Sequence, residues 1–346
     1  MDKIKSYKKI CFKLGLVMSI FFISGIACSV IIHSAEFESE TMAYVMRLVF
    51  SGVFLYLIPL VAAVAILRNE NQSSVFDLYK KPPRLAKALG NFPAVYGLGQ
   101  ITNLIGLFVA FIVMRYVNFN PYTKDIQQQE TLERSFGTMN SLIPPNLLCG
   151  LILFIHMVFA AAFFEELICR GVLLDALKPY GNGFAIIVTG FFFGIMHGNF
   201  QQFFYAFVLG IVFAYITIQT GSILAATILH ALFNSLAAGI MLFVSNDTVR
   251  DYLFEQKQPT EEGMLMLAGF AIYFALFLGI LIAGIGLAIK KLSKLKSYKA
   301  LNPFPEISAR RKALILFTSA PVIIMLILTV DRFAGGIVPS LILRYL

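Results

Sequence analysis

Long apolar runs separated by short polar connections are the dominant pattern along the chain. All but one of the runs reach about 18 residues, enough for a helix to cross a hydrocarbon core of ~30 Å. The fifth run is shorter and predicts a tilted or half-buried helix. Such a pattern predicts an all-α polytopic membrane protein, a bundle of about eight or nine transmembrane helices. The apolar runs cover residues 10–32, 43–67, 94–116, 146–168, 184–198, 202–219, 222–244, 264–289 and 313–330.

Composition excludes an ordinary soluble protein. Of the 346 residues, 58% are hydrophobic and 14% are charged, too few charges to cover a soluble fold of this size. No polar segment exceeds about 30 residues, which is too short to bury a core of its own. The cysteines lie in or near apolar runs without CxxC spacing, and we expect them to be packing residues rather than disulfides or metal ligands. They are Cys11, Cys28, Cys149 and Cys169.

The distribution of the basic residues along the chain indicates which connections lie on the cytoplasmic side of the membrane. The net charge is +9, and the lysines and arginines are concentrated in the N-terminal segment and in the loops 68–92 and 290–312. The connection at 33–41 carries three glutamates and no lysine or arginine. The positive-inside rule then predicts a multi-pass protein of the cell membrane with a cytoplasmic N-terminus. This distribution explains the positive charge without nucleic-acid binding, and we expect no nucleic-acid partner.

Three charged residues lie at the end of the fourth apolar run, within the stretch AAFFEELICRGVLL, residues 161–174. Ionisable residues at membrane depth are costly, so a functional site is the default hypothesis. Glu166 and Arg170 are i,i+4 neighbours on one helix face and predict an ion pair. Glu165 points about 100° away from Glu166, so its carboxylate stays free to act as a general base. Alternatively, all three are interfacial charges at a helix end.

Two further patterns lie in the following runs. His197 follows Phe193 by four residues, and His230 precedes Asn234 by four residues in the middle of an apolar run. Each pair shares a helix face. Taken alone, His197 is a packed or interfacial histidine, and His230 with Asn234 an interhelical hydrogen-bonding pair.

Taken together, these side chains suffice for water-mediated acyl hydrolysis. Glu165 and His197 would hold and deprotonate a water, and His230 and Asn234 would donate hydrogen bonds to the developing oxyanion. No serine or cysteine with a base in reach is evident as a nucleophile.

At these positions the chain resembles the CPBP family of intramembrane proteases, also called the ABI family, which includes the CAAX prenyl endopeptidase. The family pattern EExxxR, FxxxH, HxxxN reads here as Glu165-Glu166 with Arg170, Phe193 with His197, and His230 with Asn234. The resemblance implies that Glu165 and His197 are catalytic, that His230 and Asn234 form the oxyanion hole, and that Glu166, Arg170 and Phe193 support them. It also implies a glutamate mechanism without an obligatory metal or other cofactor.

The leading hypothesis is therefore an intramembrane endopeptidase that cleaves a membrane-delivered peptide or protein. Residues 146–244 would form its catalytic core, flanked by transmembrane helices and loops in segments 1–145 and 245–346. The main alternative is a non-catalytic membrane regulator or bacteriocin-immunity factor that binds a partner membrane protein. A third hypothesis is a zinc site formed by Glu165, His197 and His230. The chain has no HExxH motif, which would supply two paired ligands on one helix. A proton-coupled transporter is a fourth, and it leaves Asn234 unexplained.

Overall fold

The computed structural model describes residues 2–70, 73–83, 85–116, 143–292 and 307–333. Every regular element within these ranges is a helix, which confirms the all-α prediction. Parts of the predicted flanking segments 1–145 and 245–346, including most of the basic loop 290–312, lie outside the described residues. The main helices are α1 (Asp2–Ser34), α2 (Glu40–Leu67), α3 (Phe92–Tyr116), α4 (Leu147–Tyr180), α5 (Asn182–Met196), α6 (Phe200–Thr220), α7 (Leu224–Val244), α8 (Glu261–Leu292), α9 (Ala309–Phe317) and α10 (Ala320–Phe333).

The described residues contain seven or eight candidate spans, compared with the eight or nine expected. Seven described helices are long and apolar enough to cross a membrane, and the pair α9 and α10 makes an eighth if it counts as one broken span, bent by 72°. The remaining apolar helix, α5, has 15 residues and is about 22 Å long, which is shorter than a ~30 Å core. The fifth apolar run of the sequence therefore forms a helix too short to count as a span.

Several helices begin and end at the residues that helix chemistry favours. The side chains of Ser39, Asn146 and Asn199 accept hydrogen bonds from backbone N–H groups in the first turns of α2, α4 and α6, as N-cap residues do. α6 ends at Gly221, whose φ of 67° lies in the left-handed region that glycine adopts without strain. Helices α2 and α4 each contain π-helical turns, at Gly52–Leu57 in α2 and at His156–Ala161 and Leu167–Leu174 in α4.

Polar contacts at one end of the bundle join segments predicted to be cytoplasmic. Lys13 Nζ donates to Glu70 at 2.8 Å, and this hydrogen bond, with a second lysine nearby, holds the pKa of the Glu70 carboxyl below its usual value. Lys312 Nζ donates to the Tyr180 carbonyl at 2.7 Å.

At the other end, Asn146 Nδ2 donates to Thr41 Oγ1 at 2.7 Å, and Arg250 contacts the Pro145 carbonyl at 3.4 Å. The connections thus form two sets, as the alternation of charge predicts. Which set faces the cytoplasm remains a prediction.

Close glycine contacts fix one helix crossing in the bundle. α3 packs along both α8 and α6. At Gly97 of α3, an added Cβ atom would lie 2.0 Å from the carbonyl carbon of Gly284 in α8, and at Gly284 it would lie 2.3 Å from the Pro93 carbonyl oxygen. The two backbones touch at a distance that no other residue type allows.

This contact predicts that Gly284→Ala destabilises the protein by about 1–3 kcal/mol, because overpacking forces the backbones apart. Gly279 lies on the same helix with nothing within 4 Å of its Cβ position. We expect Gly279→Ala to be neutral or stabilising by up to ~1 kcal/mol. Thermal unfolding of the two purified variants in detergent measures the difference, and equal melting temperatures would contradict the crossing.

Candidate functional site

Glu166 and Arg170 form a fully buried ion pair in α4. Arg170 Nη1 donates to Glu166 Oε1 at 2.8 Å, and both side chains have no solvent exposure. The pair predicted from the i,i+4 spacing is therefore present. Since two buried charges are tolerated only when paired and hydrogen-bonded, each residue depends on the other for its place in the core.

Arg170 is also held by the helices opposite α4. Its Nη2 donates to the Gly210 carbonyl of α6 at 3.0 Å. Its guanidinium carbon lies 4.4 Å from the Phe193 ring centroid and 5.4 Å from that of Phe213, within the range of cation–π attraction. Gly190 and Gly210 let α5 and α6 cross closely, since a Cβ on Gly210 would meet the Gly190 backbone at 2.8 Å. This crossing positions the Gly210 carbonyl and the Phe193 ring against Arg170.

His230 of α7 contacts both glutamates. Its Nδ1 is 3.0 Å from Glu166 Oε1, and its Nε2 is 3.9 Å from Glu165 Oε2. A carboxylate only accepts hydrogen bonds, so Nδ1 carries the hydrogen and Nε2 is the nitrogen that faces Glu165. The ring lies between Phe193, edge-on at 5.7 Å, and Phe213, stacked at 5.5 Å. These contacts fix the orientation of the imidazole.

The two adjacent glutamates have different surroundings. Glu166 Oε1 is shared by Arg170 and His230, and its side chain is fully buried. Glu165 retains 16% side-chain exposure, and the ion-pair contact the structure gives it, with His230, is longer than a hydrogen bond. Glu165 is therefore the carboxylate that a water or a substrate can reach.

His197 ends α5, and Phe193 holds it in one tautomer. Its Nδ1 is 2.8 Å from the Phe193 carbonyl oxygen. A carbonyl accepts only, so Nδ1 is the donor, and Nε2 of the neutral ring is left as a base. The Phe193 ring lies 5.0 Å from His197 and also contacts Arg170 and His230. His197 lies close enough to Glu165 and His230 to interact electrostatically with both. The Phe193 ring therefore contacts Arg170, His197 and His230, and links the buried ion pair to the two histidines.

Asn234 has a backbone partner in α4. Its Nδ2 donates to the Met157 carbonyl at 2.9 Å. Met157 belongs to the π-helical turn His156–Ala161, and such turns leave carbonyl groups that a neighbouring side chain can satisfy. This bond uses one of the two N–H hydrogens of the amide, and the second stays available to a ligand. Asn234 therefore links α7 to α4.

Two tyrosines that no sequence motif indicates lie beside the site. The Tyr56 ring of α2 is stacked on the ring of Phe164, the residue before Glu165, at a centroid distance of 5.8 Å. The Tyr205 ring of α6 lies 6.1 Å from the His197 ring. In the sequence, the only indication that Tyr56 and Tyr205 belong to the site is that each places a polar hydroxyl within an apolar helix.

The described residues include no group of three or more histidine, cysteine, aspartate or glutamate side chains arranged to hold a metal ion. Glu165, His197 and His230 are therefore not grouped as the ligands of a zinc site. The arrangement instead combines one accessible carboxylate, one imidazole with a free Nε2, a second imidazole facing the carboxylate, and an amide. These are the groups that activate a water and stabilise an oxyanion.

The fold defines an all-α polytopic membrane protein. Residues 147–236 match the family model described as type II CAAX prenyl endopeptidase Rce1-like, and this segment holds all seven motif residues. The match covers about a quarter of the chain and supports its assignment to the CPBP (CAAX protease-like) family. The match supports, at the level of the family, a CAAX-type intramembrane protease. No curated protein and no solved structure matches the chain.

Proposed function

We propose that the protein is an intramembrane endopeptidase that hydrolyses a peptide bond of a membrane-delivered peptide or protein through a water activated by Glu165. The observation that carries the proposal is the difference between the two glutamates, because Glu166 is fixed by Arg170 and His230 while Glu165 stays partly exposed beside His230 Nε2. The proposal includes a location in the cell membrane with the N-terminus in the cytoplasm.

The mechanism assigns one task to each group. Glu165 and His197 Nε2 accept hydrogen bonds from the water, and Glu165 takes its proton as the oxygen attacks the scissile carbonyl. The oxyanion receives hydrogen bonds from the second N–H of Asn234 and from Nε2 of His230, which carries a hydrogen at this step. Glu166 accepts from Nδ1 of His230 and fixes the orientation of the ring. The proton on Glu165 then passes to the leaving amine, which balances the reaction.

Comparative peptidomics of membranes from cells that produce the wild type or Glu165→Ala tests this proposal. We expect at least one peptide product that is present with the wild type and absent with the variant. The regulator hypothesis expects no such product. It also expects Glu165→Ala and His230→Ala variants that insert normally to keep the full cellular phenotype, and that result would overturn the hydrolase assignment.

Metal chelation separates the glutamate mechanism from the zinc hypothesis. A water activated by a carboxylate and an imidazole needs no metal ion, so we expect the purified protein to cleave its substrate equally fast with and without chelator. A loss of activity that added Zn²⁺ restores would instead support a metal-bound water. Elemental analysis of the same preparation shows whether any metal copurifies with the chain.

A further inference from the structure

His156 is a histidine within an apolar stretch of α4 that the motif does not use. It begins the π-helical turn His156–Ala161. The next residue, Met157, supplies the carbonyl that accepts a hydrogen bond from Asn234. Because the Asn234 amide is proposed to bind the oxyanion, whatever holds His156 in place also bears on the proposed chemistry.

Helix α2 supplies a hydrogen-bond partner for His156. Asn146 and Thr41 pair where α4 and α2 begin. Ten residues further along each chain segment, His156 Nε2 lies 3.4 Å from Ser51 Oγ. Ser51 Oγ donates its single hydrogen to the Leu48 carbonyl at 2.8 Å, so its oxygen accepts from the imidazole. Nε2 of His156 therefore carries the hydrogen, and this hydrogen bond crosses from α4 to α2.

Ring packing holds the same imidazole from a second direction. The His156 ring lies 5.6 Å from the Tyr56 ring, which is itself stacked on Phe164 at 5.8 Å with an interplanar angle of 4°. Tyr56 belongs to the π-helical turn Gly52–Leu57 of α2. The two helices thus meet where each contains a π-helical turn, a feature that recurs at functional sites.

The π-helical turn in α4 is therefore bound on two sides. α2 holds His156, and Asn234 Nδ2 of α7 donates to the Met157 carbonyl at 2.9 Å. Since His156 and Met157 are adjacent in the chain, a displacement of the imidazole also displaces the carbonyl. The Asn234 amide follows its acceptor, and its second N–H then points away from the position required by the oxyanion.

We propose that His156 is a positioning residue that fixes the turn His156–Ala161 against α2, so that the Met157 carbonyl keeps the Asn234 amide oriented toward the oxyanion. This inference rests on the proposed function of Asn234. It implies that α2, which lies outside the segment 147–236 matched by the family model, contributes to the working site through Ser51.

The variant His156→Phe keeps a ring against Tyr56 and removes the N–H donor. We expect kcat to fall about 10-fold, the effect of one lost hydrogen bond, with KM unchanged. His156→Gln supplies an amide N–H in place of the imidazole donor, so we expect it to restore most of kcat. His33→Phe is the matched control, because His33 is exposed at the end of α1, and we expect it to behave like the wild type.

A double-mutant cycle distinguishes positioning of Asn234 from a general effect on the fold. Asn234→Ala removes a proposed oxyanion donor, and we expect kcat to fall about 10²- to 10³-fold. Adding His156→Phe to Asn234→Ala is then expected to lower kcat no further. A loss of about 10-fold in both backgrounds would show that His156 acts independently of Asn234, and would overturn the proposal. Ser51→Ala removes the acceptor on α2 and provides the same test if His156→Phe does not insert.

Nuclear magnetic resonance reports the contact without any substrate. In protein labelled with ¹⁵N-asparagine, the side-chain amide signal that Asn234→Ala removes belongs to Asn234. We expect this signal to shift in His156→Phe and to stay in place in His33→Phe. An unshifted signal overturns the positioning role and leaves the protease function standing. Absence of Glu165-dependent peptides in the wild type overturns the protease function instead, and the amide signal still decides whether His156 positions Asn234.

Discussion

Glu165→Gln is expected to lower the rate of peptide hydrolysis by about 10²- to 10⁴-fold, the usual contribution of a positioned general base. The amide has the size of the carboxylate but cannot take a proton from water. Glu165 makes no close ion pair and keeps 16% side-chain exposure, so the substitution leaves folding and insertion intact.

The assay uses the purified protein in lipid vesicles with a peptide product identified by membrane peptidomics. Glu38→Gln supplies the matched control, because Glu38 is an exposed carboxylate in the connection before α2. We expect it to keep wild-type activity. A Glu165→Gln protein that inserts normally and cleaves at the wild-type rate would contradict the assigned role of Glu165.

Arg170→Met is expected to reduce the free energy of unfolding by about 3–5 kcal/mol, because it leaves the carboxylate of Glu166 buried without its charged partner. The side chain that is lost also donates to the Gly210 carbonyl and lies against Phe193. Thermal unfolding in detergent measures the loss. In the double variant with Glu166→Leu, both charges are removed, so we expect part of the stability to return.

Arg250→Met provides the comparison for Arg170→Met. Arg250 pairs with Asp247, whose side chain is 75% exposed, and such surface pairs contribute roughly 0–1 kcal/mol. Equal melting temperatures for the two arginine variants would mean that the buried pair does not stabilise the fold.

Helix periodicity was sufficient to predict the contacts within one helix. The spacing of Glu166 and Arg170 predicted their ion pair, and the apolar runs predicted the helical membrane fold. Both depend only on the geometry of a regular helix. The 15 residues of α5 and the 72° bend between α9 and α10 explain why fewer spans are found than apolar runs.

Contacts between helices could not be derived in the same way. The bond from His230 to Glu166 joins positions 64 residues apart, and the bond from Asn234 to Met157 depends on a π-helical turn that no apolar pattern reveals. Tyr56 lies in an apolar run without a motif, and only the packing of α2 against α4 places its ring on that of Phe164, the residue before Glu165. The motif therefore indicated which residues belong to the site, whereas their partners depend on the tertiary structure.

The central claim is that the two adjacent glutamates perform different tasks, and one paired measurement tests it most directly. Glu165→Gln and Glu166→Gln are purified side by side, and both the melting temperature and the cleavage rate are recorded. We predict that Glu165→Gln has the melting temperature of the wild type and is inactive. We predict that Glu166→Gln melts at a lower temperature, because Arg170 and His230 lose their charged acceptor. A Glu165→Gln protein with wild-type cleavage, or a Glu166→Gln protein with wild-type stability, would contradict this division.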